Sequence, residues 1–380
     1  MDIKELREQI DSIDAQLLEL FKARMNVSLG VAEYKRERNI AVYDPARERA
    51  LLANIYNKAG EEMGGYACSL YKTIMEISRS YQHHILEPKP QIKDMIEKTL
   101  ESSPKMLPKY AKVACQGVEG AYSQIAAIRM FDNPVISYYG DFGDIFRAVA
   151  SGECDYGVLP IENSTAGSVN RVYDLLKNNS CPIVKSVRIK IDHNLLSKRG
   201  TSKEDIKEIF SHEQAISQCA GYLKKLDGVK VTVCANTAMA AKAVAESERS
   251  DVAALSSHSC AELYGLSVVE SDVQDMQNNY TRFICISKES QILPGADRTS
   301  IMLKTPHTPG ALYHALARIN AHGVNLIKIE SRPIPERDFE FMFYFDMEAS
   351  IYSPELSELL GELAANSEDF RYLGSYSELI

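Results

Sequence analysis

The sequence predicts a three-part chain: an all-α N-terminal region, a central α/β body and a C-terminal α+β region of ferredoxin-like plan. Three observations carry this reading. From Ile3 to about Arg38 apolar residues recur at helical spacing, from about 111 to 288 short apolar runs alternate with helical segments, and after Pro294-Gly295 the segments follow the order βαββαβ. A chain of 380 residues also exceeds what one hydrophobic core usually organises, so two or three domains are expected.

In the first region Leu6, Ile10, Ile13, Leu17, Leu20, Leu29 and Val31 keep a helical rhythm, with Gly30 the single interior glycine and no proline, which predicts one long helix. Asp44-Pro45 restarts helix, because Asp caps and Pro is preorganised for the first helical position. A break at Gly60 to Gly65 leads to a third helix through about His84. A single long helix cannot bury its own apolar stripe, and the two shorter ones offer too little surface, so intertwined pairing with a second chain is expected.

Pro88, Pro90, Pro104 and Pro108 surround a polar helical segment and mark 88–110 as a linker between regions 1–87 and 111–288. Runs at Lys112–Cys115, Pro134–Tyr138, Tyr156–Ile161, Lys207–Phe210, Lys230–Val233, Asp251–Leu255 and Thr281–Ile286 read as short buried strands of largely parallel sheets. In region 297–380, strands at Thr299–Lys304, Asn325–Arg332, Glu340–Glu348 and Phe370–Ser375 alternate with helices at Gly310–His322 and Pro354–Ala365.

Composition narrows the function. Net charge is -9, from 43 Lys plus Arg against 52 Asp plus Glu, which argues against nucleic-acid and anionic-membrane partners. The N-terminus alternates charges where a signal peptide needs an apolar stretch, so a cytoplasmic protein is expected. Cys68, Cys115, Cys154, Cys181, Cys219, Cys234, Cys260 and Cys285 contain no CxxC pair and mostly lie in apolar contexts, as reduced core thiols do. His212-Glu213 begins a zinc-protease pattern, but Ile216 stands where the second histidine belongs, and neither a metal nor a cofactor is expected.

Arg24 and Lys35 are eleven residues apart, which at ~100° per residue puts both cations on nearly the same helix face. Arg7 points roughly a quarter-turn away from Arg24 and suits a partner's site. Ser78 and Gln82, at i and i+4, share a face. Together with Asp44-Pro45-Ala46-Arg47-Glu48-Arg49, these residues resemble the all-helical chorismate mutases across essentially all of 1–86. The resemblance implies that Arg24, Arg47 and a second subunit's Arg7 hold the carboxylates of chorismate. It places Lys35 and Gln82 at the ether oxygen, Glu48 and Asp44 at the hydroxyl, and Ser78 in the pocket lining. A one-step pericyclic rearrangement to prephenate needs orientation and fixed donors rather than a nucleophile.

In the α/β region, Gly117–Ser123 joins a strand to a helix and presents amides suited to a carboxylate. Pro160-Ile161-Glu162-Asn163-Ser164 ends a strand where α/β ligands bind. Ser211-His212-Glu213-Gln214 has the form of a capping box, with Gln218 one turn further on, and Asn279-Tyr280-Thr281-Arg282-Phe283 is an unusually polar start for a buried strand. In this order and spacing the three motifs resemble prephenate dehydratase over about 111–288, a two-lobed, periplasmic-binding-protein-like fold. The resemblance makes Thr281 the essential hydroxyl and Asn163 and Gln218 its partners in binding or catalysis, with Glu162, Ser164 and Ser211 lining the cleft. Val118 and Ala121 depart from that family's usual Pro and small hydroxylic residue. Arg282 is expected to be structural, since it faces away from Thr281 on the strand.

Thr308-Pro309-Gly310-Ala311-Leu312 and Ile329-Glu330-Ser331-Arg332-Pro333 resemble the ACT regulatory domains of such enzymes. This implies a phenylalanine site at a subunit interface built from Gly310, Ala311, Leu312, Glu330, Ser331 and Arg332. The whole resembles the bifunctional chorismate mutase/prephenate dehydratases, acting on chorismate and prephenate to give phenylpyruvate, inhibited by phenylalanine, as a homodimer or dimer of dimers. Two competing readings are a carboxylate-binding protein, disfavoured by Thr281 with Asn163, and a prephenate dehydrogenase, disfavoured by the lack of a GxGxxG after a strand. A third, a helical segment kept only for dimerisation, fits poorly with its full set of polar residues.

Overall fold

The computed structural model describes residues 2–38, 40, 44–86, 91–307, 310–334 and 340–380. Pro88 and Pro90 of the expected linker, and Thr308 and Pro309 of the C-terminal motif, lie outside the described residues. Two compact units are formed, one by Met1–Asp94 with Glu358–Asn366, the other by Met95–Ser357 with Ser367–Ile380.

In the first unit, α1 (Ile3–Glu37) starts at a capping box in which Asp2 and Glu5 satisfy each other's backbone amides. Helix α2 (Pro45–Leu86) follows, and Asp44 Oδ1 accepts from the Arg47 amide at 3.0 Å at its start. The expected break falls at Gly60, whose φ of 76° and ψ of 172° interrupt α2. Helix α1 packs on α2 and buries Met25, Ser28 and Ala32. Leu6, Ile10, Ile13, Leu17 and Leu20 stay exposed, Leu20 at 68%.

The elements that follow are α3 (Gln91–Ser102), β1 (Tyr110–Gln116), α4 (Tyr122–Met130), β2 (Asn133–Tyr139), α5 (Phe142–Ser151), β3 (Tyr156–Asn163), β4 (Gly167–Ser168), α6 (Asn170–Asn178), β5 (Ile183–Lys190) and β6 (Asn194–Ser197). Next come β7 (Glu208–Ser211), α7 (Glu213–Gln218), α8 (Ala220–Leu223), β8 (Lys230–Val233), α9 (Thr237–Glu246), β9 (Val252–Ser256), α10 (His258–Tyr264), β10 (Ser267–Glu270) and β11 (Tyr280–Ser287). The chain ends with β12 (Arg298–Lys304), α11 (Ala311–Ala321), β13 (Asn325–Pro333), β14 (Phe341–Glu348), α12 (Pro354–Ala365), β15 (Asp369–Tyr376) and β16 (Glu378–Leu379).

One lobe is built on a sheet ordered β16-β5-β11-β3-β1-β2, with β4 on β3, and the other on β10-β6-β9-β7-β8. Both sheets are mixed rather than largely parallel. The chain leaves the first lobe after β5 and returns through β11, which therefore runs antiparallel between β3 and β5. Strand β6, entering the second lobe directly from β5, is antiparallel to β9. Strands β2 and β8 are sheet edges and are largely exposed rather than buried, while β5, β6 and β10 are additional to the expected strands.

The expected capping box at Ser211 is not formed. His212 caps α7 by accepting from the Gln214 amide at 3.3 Å, because Ser211 is still part of β7 and its hydroxyl donates to the Leu255 carbonyl at 2.8 Å.

The C-terminal strands form an antiparallel sheet in the order β13-β14-β12-β15. Met302, Met342, Tyr344, Leu373 and Tyr376 share one core with Ile145, Phe146, Leu159 and Tyr173 of the first lobe. Tyr173 and Tyr344 meet edge-on at 4.9 Å. Strand β15 carries Gly374 at φ 139°, and a Cβ there would overlap the Ile183 carbonyl oxygen. Gly374→Ala is thus expected to cost about 3 kcal/mol, from backbone strain plus displacement of β5, read as a lowered urea midpoint against wild type.

Candidate active sites

Strands β3 and β11 set the centre of the α/β site, for their register puts Thr281 opposite Asn163 and Arg282 opposite Glu162. A bulge immediately after these pairs leaves Ile161 unpaired opposite β11, and bulges of this kind re-aim neighbouring side chains. Side chains alternate along a strand, so Asn163 and Thr281 share one face while Glu162 and Arg282 share the other.

On the first face the Asn163 carboxamide is oriented by the backbone. Its Oδ1 accepts from the amides of Thr165 at 3.0 Å and Ala166 at 2.8 Å, and from the Thr165 hydroxyl at 2.7 Å. Its Nδ2 is left to donate to Thr281 Oγ1 at 2.9 Å and to Asn279 Oδ1 at 2.8 Å. From the second lobe, Gln218 Nε2 donates to Thr165 Oγ1 at 2.9 Å, and Gln218 Oε1 accepts from Asn279 Nδ2 at 3.0 Å. A cavity of about 290 Å³ opens here between Thr165, Ala166, Gln218, Asp275, Met276 and Asn279. Gln218 lines it directly. Asn163 stands one hydrogen bond behind Thr165 and Asn279 and Thr281 one bond further, behind Asn163, with Thr281 9% exposed.

Three residues expected in the cleft are placed elsewhere. Glu162 points to the opposite face, as strand alternation requires, and pairs with Lys328 at 2.6 Å and Arg282 at 3.4 Å. Burial would raise its carboxyl, but these two cations hold it below the usual carboxylate range. Ser211 is sealed in the core with its hydroxyl committed to Leu255. The Ser164 hydroxyl accepts from the Tyr280 amide at 2.9 Å and donates to the Asn278 carbonyl at 3.1 Å, clamping the chain rather than facing the cavity. Arg282 is structural, as expected: it is 4% exposed, ion-paired with Asp346 and Glu378, and donates to the Tyr376 hydroxyl at 2.8 Å.

In the helical unit Ser78 and Gln82 are buried, and Gln82 Nε2 approaches Ser78 Oγ at 3.5 Å. Arg24 and Lys35 are half-buried, and Arg24 Nη1 is fully buried with no hydrogen-bond partner among the described residues. Glu48 is ion-paired with Arg79, a residue the sequence reading passed over, and Asp44 is engaged at the α2 N-terminus. Arg7 and Arg47 are exposed.

In the C-terminal region Gly310, Ala311 and Leu312 line a cavity of about 520 Å³ together with His307, Phe341 and Phe343. Within one chain Glu330 and Arg332 are not brought to it. Glu330 accepts from the Ser168 hydroxyl, and Arg332 grips Asp174 through bonds of 2.9 and 2.8 Å. Ser331 is exposed on the other face of β13.

Comparison with known proteins decides the family. Residues 6–83 match the chorismate mutase type II family model and residues 113–291 the prephenate dehydratase model. Over 381 aligned residues, 98% of this chain and 95% of the relative, the sequence is 33% identical to the bifunctional chorismate mutase/prephenate dehydratase of Escherichia coli strain K12. This chain belongs to the bifunctional chorismate mutase/prephenate dehydratase family.

A bifunctional chorismate mutase/prephenate dehydratase carries both enzymatic activities on one polypeptide. Two solved structures resemble most of it. One, described as a novel type of quorum quenching acylase, is 32% identical with a TM-score of 0.64, covering 70% of this chain and 97% of that one. The other, the prephenate dehydratase of Arthrobacter aurescens in complex with L-Phe, is 27% identical with a TM-score of 0.64, covering 70% of this chain and 90% of that one. Beyond the expected residues, the hydrogen bonds around Gln218 take in Thr165, His193 and Asn279. Asn279 was signalled by the polar start of its strand, whereas His193 carries no local motif at all.

Proposed function

We propose that chorismate is rearranged in the helical region 1–87, that prephenate is decarboxylated and dehydrated in the cleft of region 111–288, and that region 297–380 is an ACT domain through which phenylalanine inhibits. The observation that carries the dehydratase assignment is the direction of the bonds at Thr281. Its Oγ1 accepts from Asn163 and, among the described residues, donates to no acceptor of its own. The hydroxyl proton is therefore free to reach the departing ring hydroxyl of prephenate, directly or through water. Entry of the substrate exchanges the bonds among Thr165, Gln218 and Asn279 for bonds to its own oxygens. Loss of CO2 and water then yields the aromatic product, and aromatisation supplies the driving force.

For the mutase, Arg24, Arg47 and Arg7 of the partner subunit hold the carboxylates, Lys35 and Gln82 meet the ether oxygen, and Glu48 and Asp44 meet the hydroxyl beside Ser78. The buried, unpartnered Arg24 Nη1 supports this, since such a group calls for an anionic ligand. The exposed stripe of Leu6, Ile10, Ile13, Leu17 and Leu20 supports a homodimer entwined through α1, in which two copies bury what one leaves in water. The cavity at Gly310–Leu312 and the L-Phe complex of the Arthrobacter relative support the regulatory reading. Glu330, Ser331 and Arg332 complete that pocket across a subunit contact.

One experiment tests the whole: purified protein is given chorismate, and prephenate and phenylpyruvate are followed with and without phenylalanine. Prephenate is expected first, phenylpyruvate second, and only the second step slowed by phenylalanine. Absence of phenylpyruvate overturns the dehydratase, and indifference to phenylalanine overturns the regulatory domain.

A further inference from the structure

His193 lies where the chain crosses between lobes, after β5 and directly before β6, and is tied to the returning segment between β10 and β11: its amide donates to Gln274 Oε1 at 2.8 Å and its carbonyl accepts from the Val273 amide at 2.9 Å. It is 2% exposed, and its Nε2 sits 2.9 Å from Gln218 Oε1. Hydrogen-bond directions around the cleft settle which atom donates. Backbone amides fix the Asn163 oxygen as an acceptor, so the Thr165 hydroxyl donates to it and must itself accept from Gln218, which can only be through Nε2. The Gln218 oxygen then faces His193 and Asn279, and His193 must donate from Nε2. Its Nδ1 is buried without a partner among the described residues, which suits a bare lone pair and not an N–H, so the ring is neutral and protonated on Nε2. Burial also pulls its acidity toward the neutral form.

We infer that His193 is a positioning residue for the dehydratase: from the interlobe crossing it locks the Gln218 carboxamide so that the N–H side, not the oxygen, is presented to a carboxylate of the substrate. Once the substrate has displaced the bonds that Thr165 and Asn279 make to Gln218, a carboxamide without the His193 donor is free to turn its oxygen toward the anion, which replaces attraction by repulsion. The inference rests on the dehydratase reading of this cleft. Because the carboxylate is present in ground and transition state alike, the loss falls on KM rather than on kcat. A merely structural role would lower the fraction of active protein and leave KM unmoved.

The test uses the full chain and prephenate. His193→Leu removes the donor, while His193→Gln offers an amide N–H at similar reach. His193→Leu is expected to raise KM about tenfold with kcat little changed, and His193→Gln to keep KM near wild type. In wild-type protein with 15N-labelled histidine, the ring whose signals vanish in His193→Gln is expected to carry its proton on Nε2. An unchanged KM in His193→Leu, an equal rise in both variants, or a proton on Nδ1 overturns the inference, and the tautomer decides even where His193→Leu fails to fold. A wild-type chain that leaves prephenate untouched sinks the dehydratase reading instead, while the tautomer still judges the His193–Gln218 bond.

Discussion

Thr281→Ala is expected to stop phenylpyruvate formation while prephenate accumulates from chorismate. The substitution removes the one hydroxyl in the Asn163–Asn279–Gln218 network whose proton has no acceptor of its own among the described residues. Positioned proton donation is worth ~10²–10⁴-fold in rate, so residual turnover near or below a hundredth of wild type is the prediction. It also strips Asn163 Nδ2 of one acceptor, but Asn279 Oδ1 at 2.8 Å and the Tyr280 carbonyl at 3.2 Å remain, so the carboxamide keeps its place and the fold should survive. Thr281→Ser retains the hydroxyl and is expected to keep measurable activity. Product formation followed by the absorbance of phenylpyruvate separates these outcomes, and near-normal dehydration by the Ala variant would remove Thr281 from the mechanism.

Lys35→Ala is expected to remove mutase turnover and spare the dehydratase. Charge develops on the breaking C–O bond of chorismate, and one fixed cationic donor at that oxygen is worth ~10²–10³-fold. Lys35 belongs to the compact unit containing Met1–Asp94, whereas Asn163, Gln218 and Thr281 all belong to the other, so supplied prephenate should be consumed at the wild-type rate. Assays run separately from chorismate and from prephenate make the comparison. A parallel fall of both activities contradicts two independent sites.

Much of the dehydratase centre was legible because its residues are local in sequence. Asn163 ends a strand, Thr281 lies near the start of one and Gln218 closes a short helix, so each sits in a local motif on which the family resemblance rests. The directions of Glu162 and Ser164 were not legible because a motif lists neighbours without their direction: strand alternation turns Glu162 to Lys328 and Arg282, and the Ser164 hydroxyl accepts from the Tyr280 amide. The burial of Ser211 was hidden for a related reason, since only the neighbouring β9 reveals that its hydroxyl is already bonded.

By itself, the order of residues determined the three rhythms, the apolar stripe of α1, and the placing of Ser78 and Gln82 on one helix face. Those are consequences of periodicity and local chemistry, which act within a few residues. Tertiary structure alone decided that β11 returns antiparallel between β3 and β5, that Arg282 is enclosed by Asp346, Glu378 and Tyr376, and that His193 meets Gln218 across the lobe crossing. The physical reason is distance along the chain: hydrogen-bond direction and burial depend on partners far away in sequence, and only the folded chain brings those partners within reach.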